Sequence, residues 1–157
     1  MLFRSRVFNT HLESIRFRQE DYRFIRNLGN DEIDQEELEG GLNILRKLKR
    51  AFLKRASQVE IIQEYVRRSP YPVILCGDFN DTPVSYTMGT LTNELKDAFR
   101  ISGEGWGKTY TGVFPSFRID YILHDKSMRS FGYETHREEL SDHYPVSCYI
   151  TWKKRGL

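Results

Sequence analysis

What most limits the folds open to this chain is a long apolar periodicity that stops at a proline and passes directly into a strand. Leu42, Leu45, Leu48, Phe52, Ala56, Val59, Ile62 and Val66 recur at spacings of three and four, which predicts a helix from Leu42 to Arg68. Pro70 cannot continue it. The run Tyr71-Pro72-Val73-Ile74-Leu75-Cys76 then reads as a buried strand that ends in the turn-forming Gly77-Asp78. Loops at strand ends, held by a rigid sheet, are where catalytic groups are usually presented.

The other segments fit that frame. Arg6-Val7-Phe8-Asn9-Thr10-His11-Leu12 alternates apolar and polar residues, as a strand does, with His11 near its end. Ser14 is placed to cap a short helix carrying Ile15, Phe17, Tyr22, Phe24 and Ile25. The acidic stretch from Asn27 to Gly41, with Gly29, Gly40 and Gly41, predicts a mobile connection. Two short helices are expected over Val84 to Leu91 and Asn93 to Arg100, and a glycine-rich aromatic loop over Trp106 to Phe117. Strands are expected at Arg118 to Leu123, Met128 to His136 and Tyr144 to Trp152. Helices and strands mix without strict alternation, which favours a layered α/β or α+β sandwich over a doubly wound sheet. The 157 residues predict a single domain, 1–157, with a real core.

Charge excludes little. With 24 basic and 22 acidic residues, the net charge of +2 does not by itself mark a nucleic-acid binder. The basic residues are clustered, however: Arg46, Lys47, Lys49, Arg50, Lys54 and Arg55 crowd one segment, and Lys153-Lys154-Arg155 lies near the C-terminus. These are either a solvated face and tail or an attraction for a polyanion or membrane surface. Cys76 and Cys148 sit in apolar strand-like runs and read as buried free thiols, without disulfide or metal-knuckle spacing. No run is long or apolar enough for a signal peptide or transmembrane helix, so a soluble domain is expected, its compartment open.

Two loop motifs carry the chemistry. Gly77-Asp78-Phe79-Asn80-Asp81-Thr82-Pro83 puts a carboxylate and an amide two residues apart at a strand end. They could activate water and donate to a phosphoryl oxygen, or they could form an Asx-type turn. Ser141-Asp142-His143-Tyr144-Pro145-Val146 sets a carboxylate beside an imidazole. In extended backbone neighbouring side chains point opposite ways, so Asp142 could face a metal while His143 faces a substrate. Asp120 lies inside an apolar strand, where an unpaired carboxylate is costly. It needs a partner, either an ion pair or cap, or an imidazole whose charged form it stabilises. His11 alone is a weak signal, and His124 and His136 read as ordinary surface or edge histidines.

Asn9-Thr10-His11-Leu12, Gly77-Asp78-Phe79-Asn80, Arg118-Ile119-Asp120-Tyr121-Ile122 and Ser141-Asp142-His143-Tyr144-Pro145-Val146 occur in an order that resembles the endonuclease/exonuclease/phosphatase superfamily. The resemblance runs from about Val7 to Trp152. It implies the DNase-I-like fold, a four-layer α/β sandwich of two packed sheets flanked by helices. It also implies a Mg²⁺-dependent (or Mn²⁺-dependent) phosphoesterase. His143 would be the central acid/base or phosphate-contacting histidine, paired with Asp120, and His11 a second histidine at the scissile phosphate. Asp78 would position or deprotonate the attacking water, Asn80 would stabilise phosphoryl oxygens, and Asp142 would help hold the metal. The implied substrate is a phosphate ester: nucleic acid, inositol phosphate or phospholipid.

The chain also departs from that pattern. Family members normally carry roughly another hundred residues before the Asn-Thr-His-Leu strand, including an Asn and a metal-binding Glu. Glu13 and Glu20 follow the strand and cannot be matched to that Glu. By resemblance the chain looks like the C-terminal half to two-thirds of a family domain. Weak metal binding, impaired activity, an exposed apolar face and strand edge, and homodimerisation through that surface are the expectations. The competing reading is a non-catalytic binding or assembly domain that keeps the phosphoesterase scaffold.

Overall fold

The computed structural model describes residues 4–27, 35–112, 117–138 and 140–153. The expected connection around Gly29, part of the loop before Phe117, and Lys154-Arg155 fall outside them. In chain order the elements are β1 (Arg6–His11), α1 (Gln19–Asn27), α2 (Gln35–Arg67), β2 (Val73–Asp78), α3 (Tyr86–Glu94), β3 (Leu95–Asp97), α4 (Ala98–Ser102), β4 (Asp120–Asp125), β5 (Met128–Thr135) and β6 (Val146–Trp152).

Four strands form one sheet in the order β1-β2-β4-β3, and β5 pairs with β6 in a second. β1 runs parallel to β2, while β4 is antiparallel to both β2 and β3. Phe8 lies opposite Leu75, and Leu75 opposite Leu123, so these three share one face of the larger sheet. That face meets the helices: Val73, Leu75, Tyr121 and Leu123 pack with Val59, Met88 and Leu91, and Ile62 and Val66 of α2 lie against them. The other face carries the alternate residues of β2 and β4 and meets the second sheet, where His124 pairs with Ser130 of β5. Helices, sheet and second sheet are thus stacked as layers, the mixed α/β sandwich expected of the sequence.

The long helix is where pattern and structure differ most. It begins at Gln35 rather than Leu42. Its buried positions are Ile44, Ala51, Arg55 and Val59, while Leu42, Leu45 and Phe52 are exposed. Arg55 belongs to the core stripe, not to the basic surface patch. An apolar stripe drawn to exclude a charged residue is rotated away from the true one over the first half of the helix.

Smaller differences have local causes. The first helix starts at Gln19, not after Ser14, because the Asp21 carboxylate accepts the Arg18 N–H at 2.6 Å. The helix expected over Asn93 to Arg100 is instead β3 followed by α4. The Asp97 side chain accepts the Phe99 N–H, starting the helix there, and takes a two-pronged grip from buried Arg118 at 2.9 and 2.7 Å. His124 is fully buried rather than on the surface: its Nδ1 donates to the Asp125 carbonyl at 2.9 Å, and its Nε2 lies 3.0 Å from the Ser130 hydroxyl. Cys76 and Cys148 are free but only half-buried, and burial raises both thiols above their ordinary value. Among the described residues no helix is long and apolar enough to cross a membrane.

Gly77 carries the tightest backbone constraint. Its φ is +135°, and an added Cβ would lie 1.9 Å from the Thr10 carbonyl oxygen on β1. Side chains rarely adopt that φ, and the obstacle is backbone. Gly77→Ala is expected to cost about 1–3 kcal/mol by pushing β1 from β2. Urea denaturation that gave an unchanged midpoint would contradict this.

Candidate active site

Strand register assembles the site. His11 ends β1 directly opposite Asp78 at the end of β2, and Asp78 lies directly opposite Asp120 at the start of β4. Paired residues on neighbouring strands point to the same face, so three chemically active side chains form one row across three strands. Their face is the one opposite the helices, at the carboxyl ends of the two parallel strands, a common place for ligand sites in open α/β sheets.

His143 reaches the row from outside the sheet. The loop before β6 is tied to Thr109–Thr111: Tyr144 N–H donates to Thr109 O at 2.7 Å, and Thr111 N–H donates to Asp142 O at 2.9 Å. Ser141 Oγ lies 3.0 Å from the His143 N–H and 3.0 Å from its carbonyl, which tightens the turn. The imidazole then donates from Nδ1 to Asp120 Oδ2 at 2.8 Å. That bond fixes the tautomer and leaves Nε2 to exchange protons. Thr109 supports the partner, since its buried hydroxyl accepts both the Ile119 and the Asp120 N–H, at 3.0 and 3.1 Å.

Asp78 and Asn80 form the Asx-type turn that the sequence left open. Asp78 Oδ1 accepts the Asn80 N–H at 2.8 Å, and Oδ2 accepts the Asn80 side-chain amide at 2.9 Å. The same amide nitrogen donates to Leu12 O at 3.0 Å. Asn80 has φ +50°, a conformation asparagine tolerates better than most residues. Both hydrogens of its amide are therefore used inside the protein, holding Asp78 rather than pointing at an incoming group. His11 Nε2 lies 3.5 Å from Asp78 Oδ2, and its side chain is 72% exposed.

Electrostatics tie the cluster together. Burial raises the Asp78 carboxyl above its ordinary value, and the Asp120 charge adds to this against the opposing Asn80 hydrogen bond and the two imidazoles. For His143, burial pulls downward, but the Asp120 hydrogen bond and the charges of Asp120, Asp78 and Asp142 prevail and raise it. Groups coupled this closely titrate together.

His11, Asp78, Asn80, Asp120, Asp142 and His143, all six residues singled out from sequence, line one open cavity of about 510 Å³. Tyr110, Phe17 and Tyr22 also line it, and the Tyr110 ring meets the His143 ring edge-on with centroids 5.3 Å apart. Those aromatics, and Thr109, were not legible as site residues. The only signal for the aromatics was aromatic content in segments that read as loop or helix, and Thr109 had none.

One ligand atom from each of Asp78, Asp120 and His143 falls within 4.8 Å of the others, close enough to surround an ion. An imidazole committed to Asp120 is a poor ligand for a hard cation, whereas carboxylates suit one. The mutual repulsion that helps raise Asp78 is relieved by added positive charge. The residues therefore fit a hydrated hard cation held through one or two carboxylates, as Mg²⁺ commonly is. Asp142 is exposed in the same cavity but lies outside that three-residue group.

The sequence model of the Endonuclease/Exonuclease/phosphatase family matches residues 16–143. Solved structures share the fold at low identity. One is an endonuclease/exonuclease/phosphatase from Bacteroides vulgatus, 21% identical with a TM-score of 0.54, over 66% of this chain and 46% of that one. The human nocturnin catalytic domain with bound sulfate is 18% identical with a TM-score of 0.51, over 68% and 42%. Truncated Caenorhabditis elegans TDP2 is 16% identical with a TM-score of 0.50, over 96% and 55%. The chain spans about half the length of these structures. No curated protein matches it significantly in sequence. With the motifs, the row of site residues and the family match in hand, this chain belongs to the endonuclease/exonuclease/phosphatase family and has its DNase-I-like mixed α/β fold.

Proposed function

We propose that the cavity hydrolyses a phosphate ester by in-line attack of water. The observation that carries this reading is the hydrogen bond from His143 Nδ1 to Asp120 beside a carboxylate, Asp78, whose proton affinity is raised by burial. Asp78, held by Asn80, takes a proton from the water whose oxygen attacks phosphorus. His143, charged and steadied by Asp120, returns a proton from Nε2 to the leaving oxygen as the P–O bond breaks. His11, exposed at the rim, contacts the phosphate.

Asp78, with help from Asp142 exposed in the same cavity, would hold the divalent ion, which when bound polarises the phosphate and neutralises developing charge. The side chains described offer such an ion few oxygens, so Mg²⁺ is expected to bind in the millimolar rather than the micromolar range. Calorimetry that gave micromolar affinity would contradict this.

Hydrolysis of bis-p-nitrophenyl phosphate and plasmid DNA tests the reading. Turnover that rises with Mg²⁺ or Mn²⁺ and stops on chelation supports it. Turnover indifferent to chelation removes the metal from the reading, and no turnover of either substrate replaces it with a binding domain on the same scaffold.

A further inference from the structure

A second cavity, of about 390 Å³, adjoins the candidate active site and shares Ser14 and Phe17 with it. Its charged lining is one-sided: Arg16, Arg18, Lys47, Arg50 and Lys54 against Glu13 alone. The one carboxylate is already taken, since Lys54 Nζ lies 2.7 Å from Glu13 Oε1. The Lys54 hydrogen bond, with the charges of Lys54, Arg16 and Arg50, holds Glu13 below its ordinary value. Lys47 is likewise committed, to buried Asp21. The guanidinium groups of Arg16 and Arg50 make no ion pair or hydrogen bond among the described residues.

This surface comes from two places in the chain. Arg16 and Arg18 lie in the irregular stretch after β1, and Lys47, Arg50 and Lys54 lie on successive turns of α2. Guanidinium groups without an ion pair, beside a pocket proposed to act on a phosphate ester, suit a second phosphate, because their planar donors match its oxygens in pairs. A substrate with only the scissile phosphate would leave them unused.

We propose that Arg16 and Arg50 form a second phosphate subsite next to the catalytic pocket, so that the substrate carries at least one further phosphate beside the one that is cut. The proposal rests on the phosphoesterase reading only for which phosphate is cut; the binding itself does not. The shared chemistry, two phosphates on one molecule, is offered by a single-stranded nucleic acid and by an inositol polyphosphate.

Equilibrium binding separates the possibilities and needs no turnover. A fluorescent single-stranded oligonucleotide and inositol hexakisphosphate are titrated at several salt concentrations against the wild-type chain, Arg16→Ala/Arg50→Ala and His143→Ala. The double variant is expected to bind at least one of the two ligands about tenfold more weakly, with the log–log salt slope for the oligonucleotide reduced by about one to two. His143→Ala is expected to keep most of that binding. Loss for the oligonucleotide alone assigns a strand, and loss for the inositol phosphate alone assigns a polyol. Unchanged binding of both ligands in a double variant that melts like the wild type overturns the subsite. So does equal weakening by His143→Ala, which would place all binding in the catalytic pocket. Turnover of bis-p-nitrophenyl phosphate, which has one phosphate, is expected to be unchanged by the double variant. A failure of hydrolysis in every form would sink the phosphoesterase reading and leave the binding result standing.

Discussion

Asp120→Asn is expected to lower phosphodiester turnover by about 10²–10⁴-fold without unfolding the protein. The amide keeps the shape of the carboxylate but can no longer fix the His143 tautomer or stabilise its charged form. His143→Ala, which removes the proposed proton donor itself, is expected to cost at least as much. The pH dependence gives the signature. On the proposed mechanism, turnover in the wild type requires Asp78 deprotonated and His143 protonated, so the rate should rise through the carboxylate titration and fall through the imidazole titration. Both groups are raised, Asp78 first by burial with Asp120 adding, and His143 by Asp120 against the pull of burial. Removing the Asp120 charge lowers both, so both limbs of the profile move to lower pH. A profile displaced to higher pH, or a variant as fast as wild type, would show that Asp120 does not serve His143.

The second large effect concerns stability. Arg55 is fully buried, with Nε 3.1 Å from Asp81 Oδ2 and Nη1 donating to Glu13 O at 2.9 Å. Gln58, one turn on, accepts the Glu13 N–H at 2.9 Å. Asp81 also receives the Thr87 hydroxyl at 2.8 Å, and its carbonyl takes the Tyr121 hydroxyl at 2.9 Å. One face of α2 thus clamps the segment after His11 to the turn that carries Asp78 and Asn80. Arg55→Ala leaves the Asp81 carboxylate buried without its counter-ion, held only by neutral donors, at a cost of about 3–5 kcal/mol. Arg55→Ala/Asp81→Ala should lose clearly less than the sum of the single losses, since the pair acts as a unit. Additive losses in urea denaturation would show that the buried ion pair is not what joins these segments.

Which parts of this were legible in the sequence follows from the range of each interaction. The strands at Val73 and Arg6 and the turn at Gly77-Asp78 are local patterns, and they are present. The pairing of Asp120 with an imidazole was legible because a carboxylate in an apolar strand needs a partner and His143 was at hand. The row His11–Asp78–Asp120 was not, since register is set by contacts across three strands far apart in sequence. Arg55 was misread because its charge hid a core position. His124 was misread because its partner, Ser130, lies across a turn on another strand, where no periodicity marks it. Thr109 and Tyr110 act through contacts to Asp120 and His143 made by an irregular loop, which has no period to read.

The most direct test of the account is the rate of bis-p-nitrophenyl phosphate hydrolysis in saturating Mg²⁺, followed across pH for the wild-type chain and His143→Ala side by side. The account predicts a bell-shaped profile for the wild type and a loss of about 10²–10⁴-fold in the variant, with the alkaline limb gone. Equal rates in the two proteins, with the same profile, would contradict it.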